Sequence, residues 1–146
     1  MTDSATAYAQ SVLAGEVPAC KWVRLACERH MRDLASGLWR WDVAAAEKAI
    51  GFLRLLRHYK GEFAGRPFEP LPWQCFVIGS IFGWRQIATG LRRYRYSLVV
   101  VPRKNGKTFL GAGVGLCLLC GDGEPAAEVY SVATKEDQAR LLWNDG

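Results

Sequence analysis

The run Val99 to Thr108, VVVPRKNGKT, sets Gly106, Lys107 and Thr108 directly behind a stretch of β-branched residues. A Gly-Lys-Thr triplet in that setting suits a polyphosphate cradle. Backbone N–H groups of a turn surround a β-phosphate, a lysine ammonium reaches the β and γ oxygens, and the following hydroxyl ligates Mg²⁺. Lys107 and Thr108 are the residues for the last two roles. Gly106 lets the backbone come close because no Cβ intervenes, and Asn105 tolerates left-handed backbone better than most residues. The complete pattern G-x-x-x-x-G-K-[ST] asks for a glycine where this chain has Val101, so only the second half of the motif is matched. Taken alone, the triplet also fits a polar turn that happens to carry a lysine.

The surrounding pattern supplies the setting that such a cradle needs. Tyr96 to Val101 reads as a strand bounded by Pro102, and Phe109 to Leu119 as a buried helix. Glu128 to Ala133 reads as a second strand and Lys135 to Trp143 as a helix opening after Thr134. This β-α-β-α order predicts a parallel sheet with right-handed crossovers. Upstream, KWVRLACERHMRDL and the segment Ala46 to Leu56 repeat apolar residues at helical spacing, the latter behind Asp42 as N-cap. Trp22, Trp39 and Trp41 are assigned to packing. The three prolines of RPFEPLP, residues 66–72, predict a rigid connector and a domain boundary. A third helix follows, with Pro72 near its start, Gln74 in its first turn, and Trp73, Phe76, Val77, Ile81 and Trp84 on one face.

A chain of 146 residues that is half apolar is one domain's worth and is not disordered. No apolar run reaches the ~18 residues of a membrane span, and the N-terminus lacks the pattern of a signal peptide, so a soluble cytoplasmic protein is expected. Cys20, Cys27, Cys75, Cys117 and Cys120 are odd in number and irregular in spacing, which argues for reduced thiols. Cys117 and Cys120 form a C-x-x-C without a second ligand pair, so no zinc site is expected. His30 and His58 are isolated and read as helix-surface or partly buried residues. From Pro70 through Gly121 there is no Asp or Glu, whereas Arg85, Arg92, Arg93, Arg95, Arg103, Lys104 and Lys107 lie inside that stretch. The net charge of +5 therefore originates there. It suits a polyphosphate or nucleic-acid backbone, or in the case of Arg92 to Arg95 a solvated turn.

Several blocks in order, ACKWVRLACERHMRDL, PLPWQ, FGW…GLRRYR, VPRKNGKT and DGEPAAEVYSVATKEDQAR, resemble the large subunit of tailed-phage terminases, the motors that package double-stranded DNA into procapsids. The phosphate loop of that family lacks the first glycine and carries basic residues, as Arg103 and Lys104 do in RKNGKT. The resemblance implies an α/β fold in which residues 1–65 are a helical lead-in and 66–146 begin a RecA-like P-loop ATPase sheet. It implies ATP and Mg²⁺ as cofactors, with Lys104, Asn105, Gly106, Lys107 and Thr108 at the phosphates and Thr108 on the metal. Gln74, behind Trp73, matches the element that reads adenine, since a carboxamide offers both a donor and an acceptor. Without the resemblance, Gln74 reads as a helix-terminal residue bonded to backbone. Arg103 matches a guanidinium facing the γ-phosphate; contact with DNA or solvent is the alternative. Double-stranded DNA, a terminase small subunit and a portal are the implied partners.

Hydrolysis in this class also needs an apolar strand ending in Asp-Glu, with one carboxylate on Mg²⁺ and the other orienting water. Residues 1–146 contain no such segment and no clustered nuclease carboxylates. ATP binding without steady-state turnover is therefore expected of this chain. A non-catalytic remnant or short subunit that self-associates or pairs with a partner through an open sheet edge is the rival reading. Another P-loop enzyme, such as a helicase, shares the loop but leaves the N-terminal helices and ATKEDQAR unexplained.

Overall fold

The computed structural model describes residues 3–58, 61–137 and 139–140. The chain divides into two compact units that interleave along the sequence: Met1–Ile50 with Pro70–Ser97, and Gly51–Glu69 with Leu98–Gly146.

The first unit is built on helices α1 (Ser4–Leu13), α2 (Lys21–Ser36), α3 (Val43–Leu55, which runs on into the second unit) and α4 (Pro72–Gly83). The last three are the helices expected from periodicity. Asp42 caps α3 as expected, its Oδ1 accepting from Ala45 N–H at 3.0 Å. Helix α1 was not anticipated from the sequence. It opens on Asp3, whose carboxylate accepts from Thr6 N–H, and it buries Ala5, Tyr8, Ala9 and Val12 against α2 and α4. The approach of α1 to α4 is close because Gly79 lacks a side chain: an added Cβ there would lie 2.7 Å from Ala5 Cβ. Gly83 likewise admits the Trp41 ring.

Two short strands, β1 (Trp39–Trp41) and β2 (Trp84–Gln86), pair antiparallel with Trp41 opposite Trp84. They deliver two indoles to His30, which is only 2% exposed. This corrects the expectation of a surface or partly buried histidine. The imidazole sits edge-on to Trp41, Phe76 and Trp84 and belongs to a directional chain of hydrogen bonds. Trp84 Nε1–H donates to His30 Nδ1 at 3.2 Å, which leaves the imidazole proton on Nε2, 3.0 Å from Thr6 Oγ1. The Thr6 hydroxyl donates to Asp3 Oδ2 at 2.7 Å, and Trp41 Nε1–H donates to the same oxygen at 3.1 Å. Burial pushes the His30 pKa down against the pull of the Asp3 and Asp33 carboxylates. Burial alone would push Asp3 up, but its bonds from Thr6 and Trp41 outweigh that and hold it below the ordinary carboxylate value.

Arg93 closes the other side of this cluster. Its guanidinium donates to buried Asp33 at 2.6 Å and lies 4.1 Å over the Trp39 ring, with Trp84 and Tyr94 farther out. Trp39 and Trp41 thus pack as expected. Trp22 does not: at 75% exposure it is a surface residue, beside Lys21.

The second unit holds α5 (Lys107–Leu116), continued by a π-helical turn at Cys117–Gly121. The expected parallel sheet is not formed among the described residues, where segments 96–102 and 127–133 carry no strand. Tyr96, Leu98, Val100, Tyr130 and Val132 are all at least 79% exposed. A β-branched run prefers strand because it packs between neighbours, and these two runs pair neither with each other nor with another described segment. The helix expected at Lys135 to Trp143 is partly outside the described residues; 136, 137, 139 and 140 are helical. Cys117 is buried and Cys120 exposed, and neither is in a disulfide. Among the described residues no helix is long and apolar enough to cross a membrane.

Two stability predictions follow from the His30 cluster. Because folding lowers the His30 pKa, the unfolded chain takes up that proton first. Stability should therefore hold above the ordinary imidazole value near pH 6.5 and fall as pH drops below it, with Asp3 adding loss of the same sign below about pH 4. Urea midpoints across pH 3–8 check this, and Thr6→Val, which strands the His30 proton donor, should cost about 1–3 kcal/mol at neutral pH. Arg93→Ala leaves the Asp33 carboxylate buried and without its closest cation, and should cost about 3–5 kcal/mol in the same assay.

Candidate phosphate-binding loop

The segment between Val101 and α5 is shaped by two left-handed residues. Gly106 is the N-cap of α5 with φ +69°, and Lys104 takes φ +65°. The sequence pointed to Asn105 as the non-glycine suited to that region; the structure puts Lys104 there. A side chain in this conformation costs about 1–2 kcal/mol. Asn105 instead secures the turn, its carboxamide Nδ2–H donating to Arg103 O at 3.1 Å and Pro102 O at 3.4 Å. Alternation of left-handed with ordinary backbone turns successive N–H groups toward one concavity, the form that cradles anions.

Helix α5 begins directly behind this turn with no side-chain cap on its N-terminus. Its first intrahelical bond is Leu110 N–H to Gly106 O at 2.9 Å, so the N–H groups of Lys107, Thr108 and Phe109 have no acceptor within the helix. They form the positive end of the helix dipole. Arg103, Lys104 and Lys107 are exposed around it, and Thr108 is half-buried in the first turn. Farther along the chain, Glu136 pairs with Arg140 at 2.6 Å and Glu128 accepts from Tyr130. Among the described residues no group of three His, Cys, Asp or Glu is placed to hold a metal.

The start of α5 is anchored by aromatic packing that the sequence did not reveal. The Phe109 ring stacks on His58 at 5.1 Å and contacts Phe68 at 4.6 Å. Phe68 and His58 are brought together by an antiparallel bridge between Arg57 and Pro67, flanked by the bonds Phe68 N–H to Leu56 O and His58 N–H to Arg66 O. The proline-containing connector thus supplies a buried anchor, Phe68, 6% exposed. One turn on, Gly113 lets α5 close on Leu53 and Leu56, where an added Cβ would meet side-chain carbons at 3.1–3.2 Å. Leu110, Ala112 and Cys117 complete this core.

Gln74 belongs to the other unit. It is 2% exposed, and its Oε1 accepts from Leu71 N–H at 2.8 Å, closing the first turn of α4. The local role that sequence reasoning offers a helix-terminal glutamine is therefore performed here.

Lys104 is the test of the strain. Lys104→Gly should raise the unfolding free energy by about 0.5–1 kcal/mol, since glycine adopts positive φ freely. A loss of stability in chemical denaturation would show that the conformation is not strained.

A family model for the terminase large subunit, ATPase domain, matches residues 72–145, from the first residue of α4 through Gln74 and the loop. Among curated proteins and among solved structures, nothing matches.

Proposed function

Because that match spans half of the chain, the protein belongs to the terminase large-subunit ATPase family, and on that premise we propose that Lys104 to Thr108 hold the polyphosphate of ATP for a phage DNA-packaging motor. The observation that carries this reading is the pair of left-handed residues, Lys104 and Gly106, opening onto an uncapped helix N-terminus beside exposed Lys107. An anion fits this arrangement: the donors are in place, they are accessible, and a Cβ at position 106 would be strained.

In this reading the backbone N–H groups of the turn and of the first turn of α5 bind phosphate oxygens. Lys107 neutralises the β and γ oxygens and Thr108 offers its hydroxyl to Mg²⁺. The bound metal would supply charge neutralisation at the phosphates. Arg103, at the mouth of the loop, sets a guanidinium toward the terminal phosphate, where charge accumulates in phosphoryl transfer. Gln74 reads adenine through its carboxamide. The partners are double-stranded DNA, a small terminase subunit and a portal.

Titration of a fluorescent ATP analogue in Mg²⁺ tests the loop. A charged hydrogen bond contributes about 1.5–3 kcal/mol, so Lys107→Ala should weaken binding by roughly ten- to 150-fold. Unchanged affinity would overturn the assignment. Gln74→Ala should bring the affinities for ATP and GTP together while lowering the melting temperature through loss of the Leu71 bond. A lowered melting temperature with the ATP preference intact would leave Gln74 a helix cap alone.

A further inference from the structure

The C-x-x-C pair of Cys117 and Cys120 takes no part in the phosphate loop, yet it falls on the π-helical turn Cys117–Gly121 that ends α5. Such turns are rare in helices and are frequent at functional sites. Helical register is loose here for identifiable reasons. Cys117 N–H is shared between Gly113 O and Val114 O, an α-type and a 3₁₀-type bond at once, and the wide turn follows immediately. Gly111, Gly113 and Gly115 stand in the turns before it, and each glycine inside a helix costs about 1 kcal/mol relative to alanine.

In the wide turn the two thiols are separated, Cys117 buried and Cys120 exposed. The Cys117 sulfur faces position 121, where an added Cβ would lie 3.4 Å from it and 3.0 Å from the Phe52 ring. Gly121 leaves that space open. A disulfide needs Cβ atoms about 3.5–4.5 Å apart, and residues i and i+3 of an ordinary α-helix hold them at about 5–6 Å. Tightening toward 3₁₀ geometry eclipses i with i+3. A slip of one residue, from the wide turn to the tight one, therefore replaces Gly121 by Cys120 as the residue that faces the Cys117 sulfur.

We propose that Cys117 and Cys120 form a reversible oxidation site, closed by exchange with a small disulfide of the glutathione class and coupled to this change of register. Exposed Cys120 reacts first. Its sulfur bonds to one sulfur of the small disulfide, whose S–S bond breaks, and the departing thiolate takes up the proton that Cys120 released. The Cys117 sulfur then attacks that of Cys120 and expels the second half as a thiol, which carries the Cys117 proton. Two protein thiols are thereby oxidised and one small disulfide is reduced to two thiols. The site goes beyond the ATP reading and does not depend on it.

Mass spectrometry of the native full chain, equilibrated with mixtures of oxidised and reduced glutathione, quenched in acid, alkylated and digested with trypsin, tests this. Residues 108–135 form one tryptic segment that holds both thiols and no other cysteine. It should lose two hydrogens and carry no glutathione as the oxidised share rises, and dithiothreitol should restore its mass. In Cys117→Ser, glutathione should stay on Cys120, because no second thiol can expel it. In Cys120→Ser, Cys117 should stay reduced. The wild-type result decides if either variant fails to fold. A wild-type segment that remains reduced, that keeps glutathione on Cys120, or that closes only after urea has unfolded the chain overturns the inference. Nucleotide titration is a separate readout, so loss of ATP binding would sink the proposed function and leave this site standing.

Discussion

The helical unit depends on the polarity of one buried imidazole. His30 lies among Trp41, Phe76 and Trp84, where apolar contact dominates, yet both of its nitrogens are bonded. Trp84 has only a donor, so Nδ1 must accept, Nε2 must carry the proton, and the Thr6 hydroxyl must donate its own hydrogen bond to Asp3. Every bond then has one direction, and elements far apart in sequence are tied to it: the start of α1, the middle of α2, and both strands of the ribbon. A protonated imidazole would present a second N–H to the Trp84 indole, so the neutral form is the one that this packing accepts. Buried polar chains that are fully satisfied specify a single arrangement, because any shift leaves a donor or acceptor without water to replace its partner.

In the other unit the corresponding constraint is on the backbone. Lys104 holds positive φ without being glycine, and the strain is offset by what surrounds the turn: the Asn105 side chain bonded across it, and Phe109 wedged between His58 and Phe68. The rigid part of the loop is thus its base, while the basic side chains stay exposed at its rim. That division suits a site in which backbone N–H groups define the geometry and flexible charges complete it. The complete G-x-x-x-x-G-K-[ST] pattern would have a glycine where this chain has Val101. The left-handed turn is made three residues later, at Lys104.

The helices α2, α3 and α4 were legible because each repeats apolar residues at helical spacing, with Asp42 before α3 and Pro72 in α4 marking two of the starts, and α5 because Phe109 to Leu119 is an apolar run with small residues. Helix α1 was not, since its buried face mixes small Ala5 and Ala9 with Thr6, Tyr8 and Val12 and its cap, Asp3, gains meaning only from contacts with Thr6 and Trp41. The strands at 96–101 and 128–133 were misread for the opposite reason. Their β-branched pattern is real, but a strand is completed by a neighbour, and sequence pattern alone does not supply one. The loop's residues were legible by type, whereas the anchoring of Phe109 by His58 and Phe68 depends on contacts between segments about forty to fifty residues apart; at Lys104 and Asn105 the local bonds of the Asn105 carboxamide accompany the choice of positive φ.

The basic run shows how much a two-residue period decides. As composition, Arg92, Arg93 and Arg95 are equivalent, and a charge count treats them as one patch. On the ribbon they are not equivalent, because neighbours on a strand face opposite ways. Arg93 turns inward, where Asp33 and three aromatic rings make it part of the core. Arg92 turns to the side shared by Arg85 and Arg40, and Arg40 could not have been grouped with them from the sequence because it lies more than forty positions earlier. A guanidinium paired with Asp33 and one that lies over the Phe82 ring are thus adjacent in the chain. The His30 cluster and the alignment of Arg40, Arg85 and Arg92 are thus opposite faces of the two-stranded ribbon and the bridge beside it.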